Sequence, residues 1–351
     1  VTPTTSPTPP GRLLSLDAFR GAVMLLLVSN GFGLASLGAY PSWRWLADQV
    51  EHAPWAGLTA WDLIQPAFTF MVGVAMPLAF ARRQAAGASF RDLARHVSTR
   101  AVILVLLSNL FSNFGEDRVR FELINVLSQI ALGYVICFLV LQLPVRWQAA
   151  CGAALLLGHW ALFVAFPGTD GPFSAHGNVG AVVDRWWLGR NYGGGYVTLN
   201  FLGNAVTILA GCWTGLWVSS RHTRSAVLRG LLVAAVASLT VGLALAPVNP
   251  VIKRLWTASF TCISTAAVLA MLAAFYWIVE VRDHRRWTFP FVVVGMNSIF
   301  IYAFWQLLAG WLDHGLATFT GRFAWLGAAG EIPHRIVVVA AMWGLCYWLY
   351  R

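Results

Sequence analysis

The stretch His52-Ala-Pro-Trp-Ala-Gly-Leu-Thr-Ala-Trp-Asp62-Leu-Ile-Gln-Pro-Ala-Phe-Thr-Phe-Met-Val-Gly73 sets a titratable imidazole ahead of an apolar run that still carries a carboxylate. From about Leu58 to Phe80 the run is long enough to cross a bilayer, which takes about 20 apolar residues. A charged side chain at that depth costs about 3 kcal/mol on insertion scales, so Asp62 reads as a functional residue with a partner. Asp62, Gln65, Thr69, Gly73 and Met76 recur at three- and four-residue steps and share one helix face, which should look into protein and not lipid.

Similar apolar runs fill the rest of the chain. Of its 351 residues 58% are hydrophobic and only 11% charged, with a mean hydropathy of +0.66, against about 25% charged in soluble domains. The fold class is therefore all-α, a polytopic membrane protein of about ten transmembrane helices. The net charge of +10 is dispersed over short loops, which argues for membrane orientation and against nucleic-acid binding. The basic residues are arginines except for one lysine, Lys253. Cys137, Cys151, Cys212, Cys262 and Cys346 lie within apolar runs, at spacings that suit neither a metal site nor a disulfide framework.

In order, the Thr/Pro-rich residues 1–13 read as a disordered cytoplasmic tail, and 14–351 as a single transmembrane domain. Spans are expected near 14–37, 58–80, 101–114, 121–142, 147–166, 199–219, 226–246, 257–279, 290–310 and 333–350. Arg82, Arg83, Arg91, Arg95 and Arg100 crowd one connector, and Arg221, Arg224, Arg229 and Arg282, Arg285, Arg286 form clusters on the same side. The positive-inside rule puts that side and both termini in the cytoplasm, with His52 and the long 167–198 connection outside. Asn30, thirteen residues beyond Asp17, then lies about 20 Å further out, near the depth of Asp62. The pairs Asn109/Asn113, Asn125/Gln129 and Asn200/Asn204 collect at the same level.

On residues alone, those amides read as interhelical hydrogen-bonding groups, and His52 as either a solvated loop histidine or a base. Asp17 and Arg20 suit an ion pair on one helix face. No second His or Cys lies near His52, so no metal is expected. An outer polar cluster also suits a transporter, although no two-fold internal repeat is visible.

Three stretches resemble a known family. Arg12-Leu-Leu-Ser-Leu-Asp17-Ala-Phe-Arg20-Gly21 with Ser29-Asn30-Gly31, the His52–Asp62 segment, and the pair Asn249-Pro-Val-Ile-Lys253-Arg-Leu-Trp256 and Pro290-Phe-Val-Val-Val-Gly295-Met-Asn297 are similar to the heparan-alpha-glucosaminide N-acetyltransferase family, in a bacterial branch of membrane acyltransferases. The chain differs in having Trp55-Ala56-Gly57 where the family often has Trp-Asn-Gly, and no counterpart of the luminal domain of the animal enzyme is expected. The resemblance implies transfer of an acetyl group from cytoplasmic acetyl-CoA to a sugar amine or hydroxyl across a bacterial inner membrane, with a non-glycosaminoglycan acceptor expected.

His52 matches the family's catalytic histidine, Asn30 the asparagine beside it, and Asp62 the acidic position that follows. The coenzyme's phosphates should sit near Arg82, Arg83, Arg221, Arg224, Arg285 and Arg286, with Asn297. The acceptor should meet Trp186, Tyr196, Asn200 and Asn204, whose aromatic faces can stack on a pyranose. The partners expected are acetyl-CoA, the sugar acceptor and the lipid bilayer; a homodimer is compatible with this reading.

Overall fold

The computed structural model describes residues 13–220 and 222–351. The expected tail, apart from its last residue, and Arg221 lie outside the described residues. Thirteen α-helices follow in chain order: α1 (Leu14–Val28), α2 (Arg44–Gln49), α3 (Ile64–Ala85), α4 (Phe90–Ser112), α5 (Val126–Val140), α6 (Val145–Ala165), α7 (Val179–Leu188), α8 (Phe201–Val218), α9 (Arg224–Leu245), α10 (Ala258–Tyr276), α11 (Phe289–Met296), α12 (Ser298–Thr320) and α13 (Glu331–Tyr350). The protein is an all-α polytopic membrane protein, with no strand among the described residues. Among the described residues seven helical stretches are long and apolar enough to cross a membrane, or eight if the bent pair beginning with α1 counts as one span. The last of the seven, Ser298–Tyr350, contains both α12 and α13, and α5 is a shorter apolar helix.

Three expected boundaries move, each for a local reason. The first span does not run unbroken to residue 37. It bends by 47° after Val28, where Asn30, Gly31, Phe32 and Gly33 all take left-handed backbone angles. The third span begins at Phe90 instead of near 101, because Ser89 and Asp92 form a reciprocal capping box. Arg91, Arg95 and Arg100 therefore ride on α4. The ninth span is broken at Asn297, whose amide donates to Val293 O at 2.9 Å and to Cys346 O at 3.2 Å, and α12 then continues to Thr320.

The helices that position the site are α3, α8 and α10. A Cβ added at Gly73 would overlap the carbonyl oxygen of Ile208, one at Gly211 that of Phe70, and one at Gly215 that of Val74. Small residues let the two backbones touch, which in a membrane replaces the hydrophobic driving force between helices. The pairs Phe70–Gly211 and Val74–Gly215 advance together, so α3 and α8 run parallel and start at the same end. One apolar cluster joins Phe19 and Val23 of α1, Phe70 and Val74 of α3, Val227 and Leu231 of α9 and Val268 and Leu272 of α10.

Two ends of the bundle follow. His52 lies before α3, and Asn200 before α8. The four-residue link from α3 to α4, the link from α8 to α9 and the link after α10 lie at the opposite end, so Arg82, Arg83, Arg224, Arg285 and Arg286 are all remote from His52.

Candidate active site

His52, Asp62 and Lys253 meet where the loop before α3 touches the loop before α10. Asp62 Oδ1 lies 2.7 Å from His52 Nδ1 and 3.3 Å from Lys253 Nζ. The ammonium is also 3.0 Å from His52 Nδ1 and 3.5 Å from Nε2. Side-chain exposure sorts the roles: 1% for Asp62, 8% for Lys253 and 42% for His52. A buried carboxylate and a buried ammonium thus hold Nδ1 of an imidazole that is itself partly exposed.

The local chain is built around Asp62. Its Oδ2 accepts from the Ala53 and Thr59 backbone N–H groups, both at 3.2 Å, and lies 3.1 Å from the Thr59 hydroxyl. That hydroxyl is closer, at 2.6 Å, to Glu51 O and has one proton to give. The loop from His52 to Thr59 therefore folds back over the first turn of α3, and an anion at a helix start is favoured by the exposed N–H groups there. Gly57, at φ 123°, donates its N–H to Val251 O at 2.8 Å, which fastens this loop to the one bearing Lys253.

The second loop is held as firmly. Trp256 takes a left-handed φ of 53°, strained for a bulky residue. Its buried indole donates to Thr207 Oγ1 at 3.2 Å, and its carbonyl packs on Gly203 of α8. Thr257 Oγ1 donates to Pro250 O at 2.7 Å and accepts from Ile252 N–H at 3.1 Å. Burial outweighs the attraction of Asp62 and pulls Lys253 down to about 8.

Beside the histidine stands a wall of Trp55, Tyr196 and Arg254. The guanidinium lies 5.8 Å from each ring centroid and donates to Gly194 O at 2.6 Å. Trp55 Nε1 donates to Phe173 O at 2.9 Å. The Gly193–Gly195 turn approaches so closely that a side chain at Gly195 would meet the Trp55 ring at 2.7 Å. The long connection is thus part of the site.

The expected site residues separate into groups. His52 and Asp62 are in contact, and Tyr196 is in the adjoining wall. Asn200 is buried below it, its amide 3.5 Å from Arg254 O. Asn204, one turn further down α8, is buried with neither amide atom hydrogen-bonded among the described residues. Asn30 is exposed at the left-handed break, next to Gly31, whose α-carbon abuts Val50. Trp186 lies on α7, 85% exposed. Asp184 of the long connection is buried and accepts from Thr198 N–H at 2.9 Å, which ties α7 to the loop before α8. Asn297 is engaged at the α11–α12 break, as described above.

Lys253, Arg254 and Trp55 were not singled out from sequence. The available signal was composition: Lys253 is the one lysine among 24 basic residues. A chain that uses arginine everywhere else keeps lysine where a compact, deprotonatable cation is needed. Among the described residues there is no group of His, Cys, Asp and Glu that could hold a metal ion.

Beneath the site, inside the bundle, the Gln65 amide donates to Gln129 Oε1 at 2.8 Å. Tyr302 donates to Asn125 Oδ1 at 3.3 Å and accepts from Gln306 at 2.9 Å. At the arginine end, a cavity of about 710 Å³ is lined by Asp17, Arg20, Val74, Leu78, Arg82, Ser219 and Ser220, among others. Arg20 Nη1 and Asp17 Oδ1 are 3.8 Å apart there.

Comparison with known proteins gives two kinds of match. A family model described as a domain of unknown function, DUF5009, matches residues 12–152. The heparan-alpha-glucosaminide N-acetyltransferase of Homo sapiens is 24% identical over 97% of this chain and 59% of its own length, and that of Mus musculus is 22% identical over 99% and 61%. The chain spans about three-fifths of the curated relatives it matches. All three matches take in the His52–Asp62 loop, and the two acetyltransferase matches, which cover nearly all of this chain, also take in Lys253.

Proposed function

We propose that this chain is a membrane acetyltransferase that moves an acetyl group from acetyl-CoA to an amino or hydroxyl group of a sugar, with His52 handling the proton. The observation that carries the reading is a partly exposed histidine clamped at Nδ1 by a buried carboxylate, in a loop that also supplies Trp55 to an aromatic and cationic wall. The similarity to the two N-acetyltransferases supports the same reaction class.

Acyl transfer to an amine or alcohol needs a base that works near neutral pH. The 2.7 Å contact with Asp62 calls for a proton on Nδ1, which leaves the lone pair on Nε2 to receive the acceptor's proton. Asp62 then stabilises the imidazolium. Asn30, held at the break of the first span near the His52 loop, is the proposed donor to the developing oxyanion, a role worth about 3 kcal/mol in comparable sites. Trp55 and Tyr196 offer faces for a pyranose, and Arg254 and Asn200 offer polar edges.

The coenzyme supplies an activated acetyl thioester. The arginine-end cavity suits its charged part, since Arg20 and Arg82 supply cations and Ser219 and Ser220 supply hydroxyls to phosphate oxygens. The acidic member, Asp17, faces Arg20. On the positive-inside rule this is the proposed cytoplasmic end, with the acceptor outside and a bacterial inner membrane as the proposed location.

The test is CoA release from acetyl-CoA by purified protein in detergent, with and without glucosamine. His52→Ala should lose at least about a hundredfold in turnover while keeping its elution profile. Retention of more than about a tenth of turnover by His52→Ala, Asn30→Ala and Asp62→Ala alike would remove this site from the reaction. Mass spectrometry of the His52 peptide after acetyl-CoA alone separates a base, which stays unmodified, from an acyl carrier, which gains an acetyl group.

A further inference from the structure

The contacts at His52 Nδ1 are over-subscribed. One nitrogen faces a carboxylate oxygen at 2.7 Å and an ammonium at 3.0 Å, yet it has either one hydrogen to give or one lone pair to offer. The shorter contact and the buried charge on Asp62 favour Nδ1–H pointing at the carboxylate. The ammonium then directs one of its three protons to Asp62 Oδ1, 3.3 Å away, and lies against the ring as a positive neighbour. It is also 3.5 Å from Nε2, so any proton taken up there meets a like charge at close range.

We propose that Lys253 is a positioning residue of this site: its ammonium pairs with the buried Asp62 carboxylate that holds His52 Nδ1, and stands as a like charge beside the ring nitrogen that takes the acceptor's proton. This rests on the acetyl-transfer reading above. In that reaction the acceptor N–H or O–H bond breaks as its nitrogen or oxygen bonds the acetyl carbon, and His52 Nε2 takes the proton. The carbon–sulfur bond then breaks and the same proton passes to sulfur. An imidazolium pressed by Lys253 is a stronger acid, so the second transfer gains what the first gives up.

The titratable and charged groups around the lysine are Asp62 at the start of α3, His52 in the loop before it, Tyr196 from the loop before α8, and Arg254 beside it. Of these, Asp62 alone carries negative charge at neutral pH within contact of both His52 and Lys253. No other lysine exists in the chain to take over the role.

The test reads the ring directly and needs no acceptor. Diethyl pyrocarbonate acylates neutral imidazole, so the pH at which the His52 peptide becomes half-reactive, followed by mass spectrometry on the purified protein, reports its protonation. Lys253→Gln removes the charge while keeping a donor for Asp62, and Lys253→Met is a second neutral variant. Both should move the midpoint upward by about one pH unit or more. Lys253→Arg keeps the charge and should leave the midpoint near that of the wild type.

The acidic limb of kcat/KM should move with the midpoint. An unmoved midpoint in both neutral variants, or an equal shift in Lys253→Arg, overturns the proposal. If His52→Ala remains active while the midpoint shifts as expected, the role of His52 in acetyl transfer falls and the electrostatic role of Lys253 stands.

Discussion

At the scale of single residues, Lys253 ties the site's chemistry to pH in a way that can be worked out in sign. Its value of about 8 is below the ordinary lysine value of about 10.4. Between those two values the unfolded chain binds more protons than the folded one, so this group makes stability rise with pH across that window. Loss of the ammonium leaves the buried Asp62 carboxylate without its cation, so activity should fall as pH rises through about 8. An alkaline loss of kcat/KM with no fall in melting temperature would therefore report the lysine and not unfolding. Lys253→Arg, which cannot lose its proton in this range, should push that limb to higher pH; a limb that stays put assigns it to another group. Asp62 was legible in the sequence because a carboxylate entering an apolar run demands a partner. One partner, His52, lay ten residues away in the same stretch; the other, Lys253, lay 191 residues away in the chain, and no local pattern connects it to Asp62. The left-handed turn at Asn30 was hidden for a different reason, since hydropathy runs unbroken through it.

At the scale of elements, spans were readable because each depends on a local sum of apolar residues, whereas breaks and caps depend on one or two side chains. Ser89 and Asp92 moved the start of α4, and Asn297 divided an apolar run that composition alone would leave whole. The α3–α8 seam was partly legible, since Gly73 lies on the face predicted to look inward; its partner Gly211 was fixed only by the packing. Gly73→Ala and Gly211→Ala would each drive a methyl group into a facing backbone, as the overlaps with Ile208 and Phe70 indicate. Each should destabilise the protein by about 1–3 kcal/mol, the usual range for overpacking. Gly344→Ala in α13 meets nothing within 4 Å and should be neutral or stabilising by up to about 1 kcal/mol. Thermal unfolding in detergent ranks the three. Because α3 and α8 carry Asp62 and Asn200 at their starts, a seam opened at Gly73 should also lower activity, whereas Gly344→Ala should not.

At the scale of the molecule, the bundle has a histidine end and an arginine end, and the proposed reaction makes them non-equivalent. Along α3, Asp62 and Arg82 are twenty residues apart, about 30 Å of helix, so a coenzyme whose phosphates rest at Arg82 presents its far end toward mid-bundle. Arg82 lines the arginine-end cavity, while Arg285 is occupied by Asp283 at 2.7 Å and Arg286 is exposed. The clusters should therefore respond unequally. Arg82→Gln should raise the Michaelis constant for acetyl-CoA by about tenfold or more, the loss expected for one charge-assisted hydrogen bond. Arg285→Gln/Arg286→Gln should leave it within about twofold, as for surface charges. In proteoliposomes sealed with one orientation, acetyl-CoA should support turnover only from the arginine side, and glucosamine only from the histidine side. A preparation working with both substrates on the histidine side would place the coenzyme near His52 itself and leave the arginines to orientation in the bilayer.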